Sequence, residues 1–186
     1  MPRTSHHSAR VTIGNRLGFH VRPVQRFAEL ARVFKADVEV ELRGRKVPGK
    51  SVMNLMSLGG RCGDAMGITA HGGDAKQCVQ VLKFLAENNF FVEDDLRPGT
   101  CSQRHVERLT HIASCFDSSI TATADGRSAD AKDLQALLGL GLTPGSQPEF
   151  EIAGEDARQA RAVISNLVGH CYYVEEQMVK KGRERG

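Results

Sequence analysis

The run Arg10-Val11-Thr12-Ile13-Gly14-Asn15-Arg16-Leu17-Gly18-Phe19-His20-Val21-Arg22-Pro23 puts a histidine where a strand-like segment gives way to an amphipathic helix. Residues 10–13 read as strand. Beyond the junction Val24, Phe27, Ala28, Ala31 and Phe34 recur at helical spacing. Pro23 suits the first turn, where its missing N–H has no intrahelical partner to lose. His20 is therefore expected near the N-cap, beside free backbone N–H groups and the positive end of a helix dipole. That is a place to hold an anion. Arg22 adds a planar guanidinium suited to phosphate oxygens. An imidazole nucleophile, a phosphate cradle and a charge partner together describe a histidine that accepts a phosphoryl group.

The elements after the junction can be read in order. Val38, Val40 and Leu42 alternate with Asp37, Glu39 and Glu41, a half-buried strand. Gly44 marks a hairpin turn into a strand near 46–49. Ser51 reads as the N-cap of a short helix through Leu58, closed by Gly59-Gly60. A strand near 65–70 follows. Asp74 then caps a helix whose apolar face is Ala75, Cys78, Val79, Leu82 and Leu85. The order is β-α-β-β-α-β-α, an α+β arrangement with helices on one face of an antiparallel sheet.

The chain repeats itself. A shift of 82 residues aligns 22–81 with 104–163 without a gap, and 17 of the 60 positions are identical. They include Phe34/Phe116, Gly44-Arg45/Gly126-Arg127, Lys50/Lys132, Leu55/Leu137, Leu58-Gly59/Leu140-Gly141, Asp74-Ala75/Asp156-Ala157 and Val81/Val163. The second copy runs from a helix near 104–115 through strand positions Ile120, Ala122 and Ala124, a short helix at 133–140 and a strand at 149–152. Its last helix begins near Asp156, with Ala160, Val163, Ile164 and Leu167 inward. Its opening strand is weak or missing, because Glu93-Asp94-Asp95 suits a sheet poorly. The reading gives a mobile N-terminus at 1–8, a first domain at 9–88, a linker at 89–98, a degenerate domain at 99–179 and a basic tail at 180–186.

Composition narrows the function classes. Apolar and charged fractions of 40% and 25% are those of an ordinary soluble globular protein. No run of eighteen apolar residues offers a membrane span, and residues 1–10 lack the apolar core of a signal peptide. The net charge of +3 with 5% aromatics argues against nucleic-acid binding. Cys62, Cys78, Cys101, Cys115 and Cys171 form no CxxC pair and read as free thiols of a cytoplasmic protein, with no metal site. His6-His7 reads as part of a mobile polar terminus.

The pattern Asn-x-x-Gly-Phe-His-x-Arg-Pro at 15–23 resembles the active-site signature of the HPr family, the histidine phosphocarriers of the bacterial sugar phosphotransferase system. The segment Lys50-Ser51-Val52-Met53-Asn54-Leu55-Met56-Ser57-Leu58-Gly59 resembles the family's regulatory-serine region, at the expected distance. The resemblance implies two tandem open-faced β-sandwiches of the order already read. It also implies that His20 receives a phosphoryl group from Enzyme I through Nδ1 and passes it to an EIIA-type acceptor, with no cofactor. Ser51 would be the target of an HPr kinase/phosphorylase. Partners would meet the chain through Phe19, Val21, Pro23, Val52, Met53 and Met56, although a short helix must also bury some of these. The family usually has Leu before the histidine and Ala after it, where this chain has Phe19 and Val21.

The copies differ where the chemistry lies. Ser102 faces His20, Arg104 faces Arg22, His105 faces Pro23, and Asp133 faces Ser51. His105 lies three residues too late for the N-cap role and is expected on the helix surface, as are His111 and His170. The second domain is thus expected to carry no phosphoryl group. A competing reading makes the chain a regulatory interaction protein whose Ser51 state selects partners, with the second domain for docking or dimerisation. A self-contained enzyme is disfavoured, since no paired carboxylates, metal cluster or Gly-rich nucleotide loop accompanies His20.

Overall fold

The computed structural model describes residues 5–92, 102–142, 146 and 148–172. The chain divides into two compact units, Met1–Glu93 and Asp94–Gly186. In the first, β1 (His6–Thr12), α1 (Val21–Val33), β2 (Asp37–Leu42), β3 (Arg45–Pro48), α2 (Val52–Ser57), β4 (Ala65–His71) and α3 (Ala75–Glu87) follow in the expected order. The strands form an antiparallel sheet in the order β1-β4-β2-β3. Strand alternation turns Val11, Val38, Val40, Leu42, Met66, Ile68 and Ala70 to one face, where they are buried. The helices cover that face with Val24, Phe27, Leu30, Leu55, Cys78, Leu82 and Leu85. Each such Val, Leu, Ile, Phe or Met side chain, fully buried, contributes about 1.5–3 kcal/mol by removal from water.

Two boundaries move outward from the sequence reading. β1 begins at His6, paired with His71, so 6–8 are strand and not a mobile terminus. Ser5 holds the end of the strand, its carbonyl accepting from the Gly72 N–H at 3.0 Å. At the other end the expected linker begins too early, because Asn89–Phe91 form a turn of 3-10 helix that buries Phe90 and Phe91. Arg26 of α1 donates to both carbonyls, at 3.1 Å to Phe90 and 2.7 Å to Phe91. The remainder of that linker, 93–98, and the basic tail lie outside the described residues.

The second unit comprises α4 (Ser102–Ser114), β5 (Ser119–Ala124), β6 (Arg127–Asp130), α5 (Leu134–Gly139), β7 (Glu149–Ala153) and α6 (Ala157–Tyr172). Its described strands make a three-stranded sheet in the order β6-β5-β7, with no counterpart of β1 among the described residues. The fold is α+β, and the acidic run on which the expectation of a weak opening strand rests lies outside the described residues. Val106, Leu109, Ile112, Phe116, Ile120, Leu137, Val163 and Ile164 form its core. His105 corrects an expectation: it is 6% exposed and belongs to the interior, not to the helix surface. Position 105 lies one residue before core Val106 on the inward side of α4, the place that buried Pro23 takes in α1.

Among the described residues no helix is long and apolar enough to cross a membrane. Cys62, Cys78 and Cys115 are free thiols. Burial, with the charge of Asp74, pushes the Cys78 thiol up to about 12, and burial pushes Cys115 up to about 11.

Candidate functional site

The loop from β1 to α1 is held at both ends before it delivers His20. The Ile13 N–H donates to the Asp64 carbonyl at 2.9 Å, and the Gly63 N–H returns a bond to the Ile13 carbonyl at 2.8 Å. Asn15 is buried and clasps the turn from within: its Nδ2 donates to the Gly18 carbonyl at 2.8 Å, and the Gly18 N–H donates to the Asn15 carbonyl at 3.0 Å. Phe19 N–H then donates to the Gly60 carbonyl at 2.8 Å. The Phe19 ring meets Phe90 edge-on, with centroids 5.6 Å apart. This aromatic contact explains why 89–91 belong to the first unit: they form the floor beneath the histidine loop.

His20 is the N-cap of α1, with extended backbone at φ −104° and ψ −179°. Its side chain makes no capping hydrogen bond, so the imidazole is half-exposed and left for other chemistry. The first turn of α1 contains no acidic residue to compete with an incoming anion. Arg22 is exposed as the second residue of that helix, within its first turn, and Arg16 is exposed in the loop before it. Together the helix N-terminus and Arg22 can hold a doubly charged phosphoryl group at the imidazole.

Of the residues expected to meet partners, Val21 and Met53 are exposed, at 53% and 79%, and Val52 and Met56 are half-buried. Phe19 and Pro23 are instead buried and have no side chain to present. Phe19 is committed to Phe90, and Pro23 turns its ring into the core. Leu17, 76% exposed, is the surface residue that periodicity missed. Its signal was compositional: an apolar residue between Arg16 and Gly18, in a segment with neither helical nor strand period, has no core face to occupy.

Ser51 is the N-cap of α2, its hydroxyl accepting from the Asn54 N–H at 3.4 Å. Asp133 takes the matching place in α5 and accepts from the N–H groups of Gln135 and Ala136 at 2.9 and 3.1 Å.

The family model described as the PTS HPr component phosphorylation site matches residues 7–88 and again 100–170. The chain belongs to the HPr family. It is 33% identical over 79 residues to the phosphocarrier protein HPr of Cupriavidus necator, covering 42% of this chain and 89% of that one. It is also 33% identical over 93 residues to the phosphoryl donor subunit DhaM of the PEP-dependent dihydroxyacetone kinase of Escherichia coli, covering 50% of this chain but 20% of that subunit. The chain thus spans about a fifth of that relative. A crystal structure of HPr from Bacillus anthracis is 33% identical, with a TM-score of 0.41, over 42% of this chain and 94% of that one. His20 and Arg22 lie within the first matched segment, Ser102 and His105 within the second.

Proposed function

We propose that this HPr-family chain is a phosphocarrier whose first unit accepts a phosphoryl group on His20 and hands it to a second protein. The observation that carries the reading is an imidazole at the N-cap of α1 that does not cap, beside Arg22 and a first turn free of acids. The donor would be Enzyme I charged by phosphoenolpyruvate, working in the cytoplasm, and the acceptor an EIIA-type protein. In the transfer a ring nitrogen of His20 forms a P–N bond as the donor's P–N bond breaks. Little driving force is needed between two phosphoimidazoles. The helix N-terminus and Arg22 oppose the charge spread over the transferring oxygens. Leu17, Val21 and Met53 supply apolar contact around the reacting ring, with partial contributions from Val52 and Met56.

Labelled phosphoenolpyruvate with a bacterial Enzyme I tests this directly. The expected result is acid-labile, base-stable label that disappears in His20→Ala. Arg22→Ala should slow uptake about tenfold while the fold persists. Label retained at a histidine in His20→Ala would overturn the assignment.

A second reading rests on Ser51. Its half-exposed hydroxyl begins α2 next to the 79%-exposed Met53. A phosphate added there by an HPr kinase/phosphorylase would put charge at the edge of the contact surface and select between partners. ATP-dependent, acid-stable label at Ser51 without uptake at His20 would make this regulatory role the main one.

A further inference from the structure

The histidines at the start of β1 take no part in phosphoryl transfer, and the sheet places one of them in unexpected company. β1 pairs with β4 so that His6 stands opposite His71, and β2 pairs with β4 so that Asp37 stands opposite His71 from the other side. Directly opposed residues of antiparallel strands share a face. His6, His71 and Asp37 therefore form one row across three strands, all exposed, on the face that the helices leave open. His7 alternates to the other face and is half-buried.

The rings of His6 and His71 lie 4.7 Å apart, centroid to centroid, at 36°. The backbone beneath them is fixed by the full β1–β4 ladder and by the bond from Gly72 to Ser5. Metal–imidazole bonds of about 2.0–2.1 Å put two adjacent ligand nitrogens about 3 Å apart, which rotation of these rings can reach. A pair of imidazoles suits a borderline divalent ion of the zinc, nickel or copper type. The row contains no Lys or Arg. In the next row the carboxylate of Glu39 is already paired with Lys46, at 2.9 Å. Among the described residues no group of three or more His, Cys, Asp or Glu side chains is placed to hold a metal ion, so Asp37 is not a third ligand. The site is accordingly a two-imidazole platform, with water completing the shell and Asp37 adding only a nearby negative charge.

We propose that His6 and His71, with water completing the shell, bind a borderline divalent cation that clips the edge strand β1 to β4. The seven residues of β1 separate this row from the His20 loop by about 20 Å. The clip is therefore independent of the phosphoryl site.

The test is a titration of the metal-stripped full chain with Zn2+ alone, followed by calorimetry and by the imidazole signals in NMR. One Zn2+ should bind per chain, moving the signals of His6 and His71. His6→Gln and His71→Gln should each weaken binding at least about tenfold, and Cys62→Ser should leave it unchanged. Both histidines are exposed, so these variants keep the fold, which the NMR spectra verify. Undiminished affinity in the His6→Gln/His71→Gln double variant, or no saturable binding, would overturn the proposal.

Discussion

Gly18 has no room for a side chain. Its φ is +64°, and a Cβ there would come 2.3 Å from the Gly60 carbonyl oxygen and 2.9 Å from the Arg61 Cα. Both obstacles are backbone, so neither can swing aside. Gly18→Ala must push the loop off Gly60, breaking the Phe19–Gly60 bond and displacing His20. The expected cost is about 2–3 kcal/mol, from the left-handed backbone and the lost contacts together. Urea denaturation of the first unit measures it, and phosphoryl uptake should fall in the same variant. Gly59 is the control: its φ is also positive, at +56°, but nothing lies within 4 Å of its Cβ position. Gly59→Ala should cost only about 1 kcal/mol and leave uptake intact. Equal losses in the two variants would mean that close approach is not what Gly18 supplies. The sequence shows a glycine in the motif but not this reason for it, since the obstacle is a carbonyl forty residues away along the chain.

At the scale of elements, the polar identities between the copies turn out to be ties between elements. Lys50 Nζ donates to the Phe34 carbonyl at 2.8 Å, and Lys132 Nζ to the Phe116 carbonyl at 2.7 Å. Arg45 reaches the Ser57 carbonyl at the end of α2, as Arg127 reaches Gly139 and Leu140 at the end of α5. Cations on the last carbonyls of a short helix also oppose its dipole. Asp74 and Asp156 are N-caps by position, as their spacing suggests, but their carboxylates reach back to the strand entry. Asp74 accepts from the N–H groups of Lys35 and Ala36, both at 2.8 Å. Asp156 accepts from Asp117 and Ser118, at 2.7 and 2.9 Å, and from the Ser118 hydroxyl. Partial burial raises the Asp156 carboxyl, but the Ser118 hydroxyl and these N–H groups outweigh it and hold the group below the usual carboxylate range. A depressed folded value means stability that is present above the unfolded value of about 3.9 and lost as pH falls through the folded one. Asp156→Asn should therefore cost about 1 kcal/mol at pH 7, allowing for solvent screening, and progressively less as pH falls through the folded value. Amide exchange at Asp117 and Ser118 should quicken about fivefold at neutral pH, and a difference that persists undiminished in acid would refute the carboxylate's role. Periodicity located these helices because their apolar faces are local. It misassigned the carboxylates because their partners lie three strands and a helix upstream.

For the whole molecule, the duplication was legible because a fold must keep its glycines, its core and its ties, and these account for many of the 17 identities. That the second copy lacks the N-cap histidine was legible for the opposite reason: the 82-residue shift puts Ser102 opposite His20, and a hydroxyl cannot form a phosphoimidazole. What the sequence hid was the fate of His105. A polar residue on a helix with several basic neighbours reads as surface, but α4 turns it inward beside Val106, where it is 6% exposed. A ring so enclosed cannot reach a donor protein in line. His111 is exposed but lies in the last turn of α4, where the negative end of the helix dipole repels phosphate. The full chain should accordingly take up one phosphoryl group from phosphoenolpyruvate and Enzyme I, never two. Intact-mass spectrometry under base-stabilising conditions counts them, and fragmentation assigns the one group to the peptide bearing His20. A second group on the peptide of His105 would show that α4 opens under reaction conditions, and that the second unit has kept a carrier's chemistry without the carrier's histidine position.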